Sequence, residues 1–237
     1  MEEAHQEILQ IVDDALEGVA TRPRRPELPF ETARVVSALA DVLNLHVSTD
    51  QRNVIIEDMR RVILAGSTGG DLRTLHRKVK NCTKCPNLTR DPRLPLWNIN
   101  NPEAVFVVES MHLAKPVATF LVEHLKASGF SSKTVALTGA TRCPVQEPRA
   151  LQVSEVDNCS EYLVHELPLL NAKLTVTMGA VASSVLLGPV KLGQVRGTIH
   201  WLGPWPVLPT YSPAYALNQG AEEFVADLHA AFRFCRG

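Results

Sequence analysis

The sequence has few cysteines, few aromatic residues and no hydrophobic run long enough to cross a membrane. No stretch of eighteen apolar residues occurs in the 237 positions, and the opening MEEAHQEILQ is acidic and amphipathic, whereas a signal peptide would be basic and then apolar. The five cysteines are sparse and odd in number, which suits a reducing compartment. We therefore expect a soluble, cytoplasmic protein without a membrane partner.

The net charge is only -1, but basic residues concentrate in one segment. Between positions 71 and 93, seven Lys and Arg side chains stand against two Asp. Such a patch is typical of a surface that contacts the phosphates of a nucleic acid, and a solvated helix face would have the same composition.

The first 70 residues have the pattern of a small helical unit. Apolar residues recur at helical spacing over 4–19, 30–45 and 50–65, with the proline-rich TRPRRPELP after the first of these segments. A further helix is predicted at DLRTLHRKVK, with Asp71 as its N-cap. We predict two domains, 1–70 and 71–237, in which the N-terminal helices would dock a protein partner.

From position 104 onwards, short β-rich runs alternate with helical segments. Strands are predicted at AVFVV, TVALTG, KLTVTMG and PVLPTY, and helices near 115–128, 153–168, 180–187 and 221–234. This alternation predicts an α/β fold whose mainly parallel central sheet is covered by helices on both faces. Functional residues of such sheets gather beyond the carboxyl ends of the strands.

Four of the cysteines form a C-x2-C-x57-C-x15-C array, made of Cys82, Cys85, Cys143 and Cys159. No second CxxC is present, which argues against a zinc ribbon with two knuckles. Four thiolates can hold structural zinc or a [4Fe-4S] cluster, and the spacing alone does not decide between them. Cys235 is left over and is expected to be a plain thiol near a frayed terminus.

The segments around the cysteines resemble the iron-sulfur uracil-DNA glycosylases, the fourth family of that superfamily. CTKCPNLTR, TRCP, CSEYLVHELPLL, KLTVTMGAVASSVLLG, VRGTIH and VLPTYSPAYAL follow one another in the order found in that family, over residues 80–235. The resemblance implies a uracil-DNA glycosylase-like fold, a DNA substrate, and a [4Fe-4S] cluster held by the four cysteines, with structural zinc as the alternative. It also implies that the cluster is structural and that Lys84 and Arg90 beside it face phosphate.

The resemblance points to Glu109 and Ser212 as catalytic residues. Glu109 lies in VESMH, where the family has a GEAPG-like loop, and a carboxylate there would stabilise the positive charge that develops on the sugar. A glutamate that caps a loop or pairs with Lys115 is the structural alternative. Ser212, in TYSPAY, replaces the histidine of a TYHPA-like loop that donates a hydrogen bond to the departing base.

Further departures from the family concern the base and the DNA. Gly139 stands where uracil-excising relatives have an asparagine that reads the base edge, and the loop before the following helix is short, so we expect a wider pocket than uracil needs. The other residues expected to contact substrate or DNA are Ser110, Met111, His112, Arg142, Arg196, Gly197, Tyr211, Pro213, Ala214 and Tyr215.

These observations favour a DNA glycosylase that flips and excises a modified, bulky pyrimidine, such as the hydroxymethylated or glucosylated cytosine of viral DNA. A DNA-binding accessory protein of replication or repair that has lost the chemistry is the alternative, motivated by the altered histidine position and the rewritten glutamate loop. Ordinary uracil excision is a further alternative. An iron-sulfur electron carrier is disfavoured by the long intervals between the ligands.

Overall fold

The computed structural model describes residues 71–145, 149–202 and 205–237. They form one compact unit, apart from Trp201 and Leu202, which are grouped with a second unit. The helical unit predicted for 1–70 lies outside the described residues. Within the described ranges, no helix has the length and apolar character needed to span a bilayer.

The described elements alternate between helix and strand along the chain. The helices are α1 (Leu72–Lys80), α2 (Lys115–Ala127), α3 (Val153–Leu170), α4 (Ala180–Leu187), α5 (Leu192–Val195), α6 (Pro213–Gln219) and α7 (Glu222–Arg236). The strands are β1 (Leu96–Trp97), β2 (Ala104–Ser110), β3 (Val135–Thr141), β4 (Leu174–Met178), β5 (His200–Leu202) and β6 (Trp205–Thr210).

The six strands form a single sheet in the order β1-β3-β2-β4-β6-β5. Strand β2 pairs in parallel with β3 and β4, and β4 pairs in parallel with β6, whereas the short β1 is antiparallel to β3. Val108 lies opposite both Gly139 and Met178, and Met178 lies opposite Thr210. The carboxyl ends of these four strands therefore meet at one edge, which confirms the predicted mainly parallel α/β fold.

The central strands are buried on both faces. Every residue of β3 and β4 is buried, as are the first five residues of β2. Because successive side chains of a strand point to opposite faces, continuous burial means that the sheet is covered on both sides. Cys235 belongs to this core with 2% of its surface exposed, so the expectation of a thiol near a frayed terminus is wrong.

The principal helices follow the predicted pattern closely. Asp71 caps α1, since its side chain accepts a hydrogen bond of 2.6 Å from the Thr74 N–H. Helix α3 continues through Pro168 and ends at Leu170, and its C-cap Asn171 adopts the left-handed conformation. Strands β1 and β5 and helices α5 and α6 were not predicted from the sequence.

Candidate active site and metal centre

Glu109 lies at the carboxyl end of β2, between the ends of β3 and β4. Its Oε1 accepts a hydrogen bond of 3.0 Å from the Val181 N–H in the first turn of α4. Burial raises the pKa of the carboxyl group, and the hydrogen bond from Val181 opposes that rise. The carboxylate therefore occupies the position of a cap on α4, where the helix dipole favours a negative charge.

Gly179 makes room for this carboxylate, and it was not among the residues predicted from the sequence. Its φ is +105°, and a Cβ there would lie 2.5 Å from the Cδ of Glu109. Any side chain at this position would combine backbone strain with a collision. The glycine between an apolar strand and a helix in KLTVTMGAV was the sequence signal for such a close approach.

Ser110 and His112 organise the loop that follows β2. The Ser110 Oγ accepts a hydrogen bond of 3.3 Å from the His112 N–H. The His112 Nε2–H is directed at two backbone carbonyls, 2.9 Å from the Asp91 oxygen and 3.1 Å from the Arg142 oxygen. His112 thus links the backbone at Asp91, which follows the first two array cysteines, to the backbone at Arg142, which directly precedes Cys143.

Met111 fills the space beside Gly139. Its side chain is 3% exposed, and its Cγ would be 2.8 Å from a Cβ placed on Gly139. The Thr141 carbonyl oxygen would be 2.9 Å from the same Cβ. The prediction that Gly139 opens a wider pocket is therefore wrong at this position, because a thioether side chain occupies the room that the missing side chain leaves.

Ser212 caps helix α6. Its Oγ accepts a hydrogen bond of 3.2 Å from the Tyr215 N–H, and Pro213 is the first residue of the helix. The rings of Tyr211 and Tyr215 pack with their centroids 4.6 Å apart, and Tyr215 is 49% exposed. Pro213 is buried, whereas Ala214 is exposed beside Tyr215.

Arg196 is held by a carboxylate of α7. Its Nη2 donates to Oδ1 of Asp227 at 2.8 Å and its Nε donates to Oδ2 at 3.0 Å. The guanidinium also lies 5.1 Å from the centre of the Tyr211 ring. Gly197, with φ of +72°, allows the approach, because a Cβ there would be 2.5 Å from the Asp227 Oδ1. Arg196 therefore links the segment before Gly197 to α7 and lies against the Tyr211 ring, and its contact with DNA stays a prediction.

The four array cysteines line one cavity of about 190 Å³. Cys82 and Cys85 follow α1, Cys143 follows β3, and Cys159 lies in α3. In the part of the chain that the structure describes, no three or more His, Cys, Asp or Glu side chains are arranged closely enough to coordinate a metal ion. A cavity needs a volume of roughly 10–15 Å³ to hold one water molecule. The cavity between the thiols therefore has room for a group of several atoms.

Arg142, which was predicted to contact DNA, is buried beside this cavity. It lines the cavity, and its side chain is 1% exposed. Its Nη2 donates to the Glu166 Oε2 at 2.5 Å, and its Nε and Nη1 have no hydrogen-bond partner among the described residues. The predicted DNA contact is therefore wrong for Arg142. Four thiols around a cavity, with buried N–H donors beside them, fit an anionic iron-sulfur cluster.

Burial dominates the electrostatics of these thiols. It raises the pKa of Cys159 to about 11, and the nearby Arg142 opposes that rise. It also raises the pKa of Cys85 and of Cys143. Thiolates in this setting need positive charge around them.

The two basic residues beside the first cysteine pair differ in their contacts with other side chains. Lys84 forms an ion pair with Glu161, and its Nζ lies 5.3 Å from the centre of the Tyr162 ring. Arg90 lies at the cavity lining and is exposed. Arg90 is thus the better placed of the two to reach a phosphate.

The sequence of this chain is similar to those of known proteins. A family model described as the uracil DNA glycosylase superfamily matches residues 100–233. A Type-4 uracil-DNA glycosylase of Thermotoga maritima is 27% identical over 64% of this chain and 86% of its own length. A Type-4 uracil-DNA glycosylase of Pyrobaculum aerophilum is 27% identical over 68% of this chain and 93% of its own length. One of Archaeoglobus fulgidus is 24% identical over 67% of this chain and 90% of its own length.

Proposed function

The chain belongs to the uracil-DNA glycosylase superfamily, and on that premise we propose that it is a DNA glycosylase, a hydrolase that cleaves the N-glycosidic bond between a base and its deoxyribose. The observation that carries the proposal is the position of Glu109. Its half-buried carboxylate lies where the carboxyl ends of the parallel strands meet. Reacting groups of parallel α/β proteins are found at this edge.

The chemistry follows from the charge that develops when the bond breaks. As the base departs, positive charge builds on the sugar ring, and a fixed carboxylate beneath it stabilises that state and orients the attacking water. Glu109 serves this purpose in its ionised form. The Val181 N–H helps to hold the carboxylate in one place, so little reorganisation is needed.

Recognition of the base proceeds without an amide at position 139. Met111 packs against Gly139 and presents a thioether side chain where relatives would present a hydrogen-bonding group. Methionine is flexible and adapts to irregular shapes. The lack of an amide that reads the edge of uracil, rather than any extra room, supports a modified pyrimidine, such as hydroxymethylated or glucosylated cytosine, as the excised base in preference to uracil.

A [4Fe-4S] cluster completes the proposal. Cys82, Cys85, Cys143 and Cys159 would hold it, and when bound it would cross-link a loop, a strand end and a helix without taking part in bond cleavage. The exposed Arg90 and the adjacent rings of Tyr211 and Tyr215 would contact the phosphates and groove of a DNA substrate.

The test is a panel of duplexes that each contain one uracil, hydroxymethylcytosine or glucosylated hydroxymethylcytosine, scored for abasic sites. We expect release of a modified base, and a loss of roughly 100- to 1,000-fold in rate for Glu109→Gln. The matched control is Glu123→Gln, which changes an exposed glutamate on α2. Faster release of uracil than of any modified base would refute the substrate class while leaving the glycosylase activity intact.

A second candidate function, a DNA-binding accessory protein without chemistry, is favoured by one specific observation. Both predicted catalytic side chains are engaged as helix caps, Glu109 on α4 and Ser212 on α6. Tight binding to every duplex, no base release from any of them, and indifference to Glu109→Gln would establish this alternative in place of the enzyme.

A further inference from the structure

We infer that Arg142 is the buried counter-charge of the proposed iron-sulfur cluster, donating its remaining N–H groups to cluster sulfur and setting the reduction potential of the cluster. The inference rests on the proposed cofactor. It gives Arg142 a role in positioning and tuning that cofactor, in place of the predicted contact with DNA.

The first support is the location of the side chain. Arg142 directly precedes Cys143 at the end of β3, and it lines the same cavity as all four array cysteines. With 1% of its side chain exposed, the guanidinium is out of reach of a DNA backbone.

The second support is the set of donors that the protein leaves unused. The guanidinium has five N–H groups, and within the described residues both Nε and Nη1 are buried without a hydrogen-bond partner. Buried polar groups are nearly always hydrogen-bonded, because a buried donor without a partner destabilises the folded state. Thiolate and sulfide sulfur in the adjoining cavity are acceptors of the required charge.

The third support is the network that fixes the orientation of Arg142. Glu166 is fully buried, and its Oε2 accepts from Arg142 Nη2 at 2.5 Å and from the Thr138 Oγ1 at 2.6 Å. His76 on α1 lies 3.3 Å from the other oxygen of Glu166. The carboxylate thus connects α1, α3 and β3, the three elements that bear or adjoin the cysteines, and holds one side of the guanidinium away from the cavity.

The expected consequence follows from charge. A cube of iron and sulfide bound by four thiolates is anionic, and reduction makes it more so. A fixed cation in a medium of low dielectric therefore stabilises the reduced state and raises the reduction potential. Hydrogen bonds to the sulfurs act in the same direction.

The experiment compares Glu166→Gln with the double variant Arg142→Met/Glu166→Gln in the full chain loaded with iron and sulfide. Because the single variant already breaks the buried ion pair, the double variant isolates the effect of the guanidinium without leaving an unpaired carboxylate. The readouts are the midpoint potential, from a spectroscopic redox titration, and the rate of iron release to a chelator. We expect the double variant to have the lower potential and to release iron about 10- to 100-fold faster.

Two further variants keep the result interpretable. Arg142→Lys preserves the charge but removes the guanidinium fork, so its potential should lie between those of the wild type and the double variant. Arg236→Met removes an arginine that pairs with Glu103 on another part of the fold and should change neither readout. If the double variant does not fold, Arg142→Gln/Glu166→Gln replaces it, because that pair removes both charges and keeps polar side chains. A potential and an iron-release rate equal to those of Glu166→Gln would then refute the inference.

The outcomes separate this inference from the proposed function. Equal potentials and equal iron release for the single and double variants would show that Arg142 serves only as the partner of Glu166. A folded wild type that excises bases but binds no iron would overturn the inference and leave the glycosylase proposal standing. A lower potential for the double variant than for Glu166→Gln, in a protein that releases no base, would support the inference and refute the glycosylase proposal.

Discussion

At the scale of single residues, the carboxyl group of Glu109 combines burial with a helix cap. Burial raises its pKa, and the single hydrogen bond from Val181 only partly offsets that rise. The folded protein therefore holds the neutral form of this group more favourably than the unfolded chain does. At neutral pH the ionised carboxylate is a net cost to folding, as is expected for a group whose placement serves chemistry.

This cost predicts that Glu109→Gln stabilises the protein at neutral pH. The pKa of Glu109 is higher in the folded protein than in the unfolded chain, where it is about 4.3. Below that unfolded pKa, protonation of Glu109 stabilises the folded state, and this stabilisation is lost as the pH rises through the pKa of the folded protein. The glutamine can still accept from the Val181 N–H but carries no charge. Denaturant unfolding at a series of pH values should show a stability gain at neutral pH that disappears in acid.

Glu123→Gln is the control, since its exposed carboxyl group should show no such dependence. A Glu109→Gln variant that is less stable than the wild type at neutral pH would contradict the predicted cost of ionisation.

Met111 and Gly139 illustrate what residue identity alone leaves open. A glycine in place of an amide predicts the loss of two hydrogen-bonding groups, and that expectation depends only on the sequence. Whether the space is then open depends on neighbours that are distant along the chain. Here Met111, which directly follows β2, packs against Gly139 of β3 and fills the space.

At the scale of elements, the junction between β4 and α4 is the feature on which the site depends. Gly179 follows the strand with φ of +105° and lies against the carboxyl group of Glu109. The same residue leads directly into the turn whose Val181 N–H binds that carboxylate. A short strand-to-helix connection thus both makes the space for Glu109 and supplies its hydrogen bond.

Gly179→Ala should therefore impair stability and catalysis together. Backbone strain at a positive φ costs about 1–3 kcal/mol, and displacement of the carboxylate from beneath the sugar should lower kcat on the order of 100-fold. Denaturant unfolding and single-turnover base release measure the two effects.

Gly188→Ala supplies the comparison, because Gly188 also has a positive φ, of +76°, but a Cβ at that position would have no atom within 4 Å. That variant should lose stability and retain its rate. An equal loss of rate in both variants would show that contact with Glu109 is not what matters.

Helix α6 shows that a local signal can be present and still be missed. Ser-Pro at positions 212 and 213 is a strong N-terminal signal for a helix, with serine as cap and proline at the first position. The resemblance to the glycosylases instead predicted a catalytic role for that serine in a loop. Its Oγ accepts from the Tyr215 N–H, and its role toward a departing base stays a prediction.

At the scale of the whole molecule, the array cysteines connect parts of the chain that are far apart in sequence. Cys82 and Cys159 are separated by 76 intervening residues yet line one cavity. A bound cluster would join these distant segments, and because it would bind the folded state in preference to the unfolded chain, it would add stability by mass action.

Cys159→Ser should therefore lose iron, lose the brown absorption of the cluster and unfold at a lower temperature than the wild type. Cys235→Ser is the matched control, because Cys235 is a buried cysteine of α7 that does not line the cavity. It should keep its full iron content. Iron analysis and thermal unfolding of the two variants decide the matter, and equal iron content in both would exclude the array as the metal site.

The amino-acid sequence was enough to predict the α/β alternation, the bounds of the main helices and strands to within a few residues, and the family resemblance. These properties are local: hydrophobic period, caps and turn residues act over a few positions, and cysteine motifs are read directly. Only in the folded chain does it become apparent that Met111 fills the space at Gly139, that Gly179 accommodates Glu109, and that Arg142 faces the cavity of the cysteines. Each of these depends on atoms brought together from separate strands and helices, and a contact of that kind has no signature within the sequence of either partner.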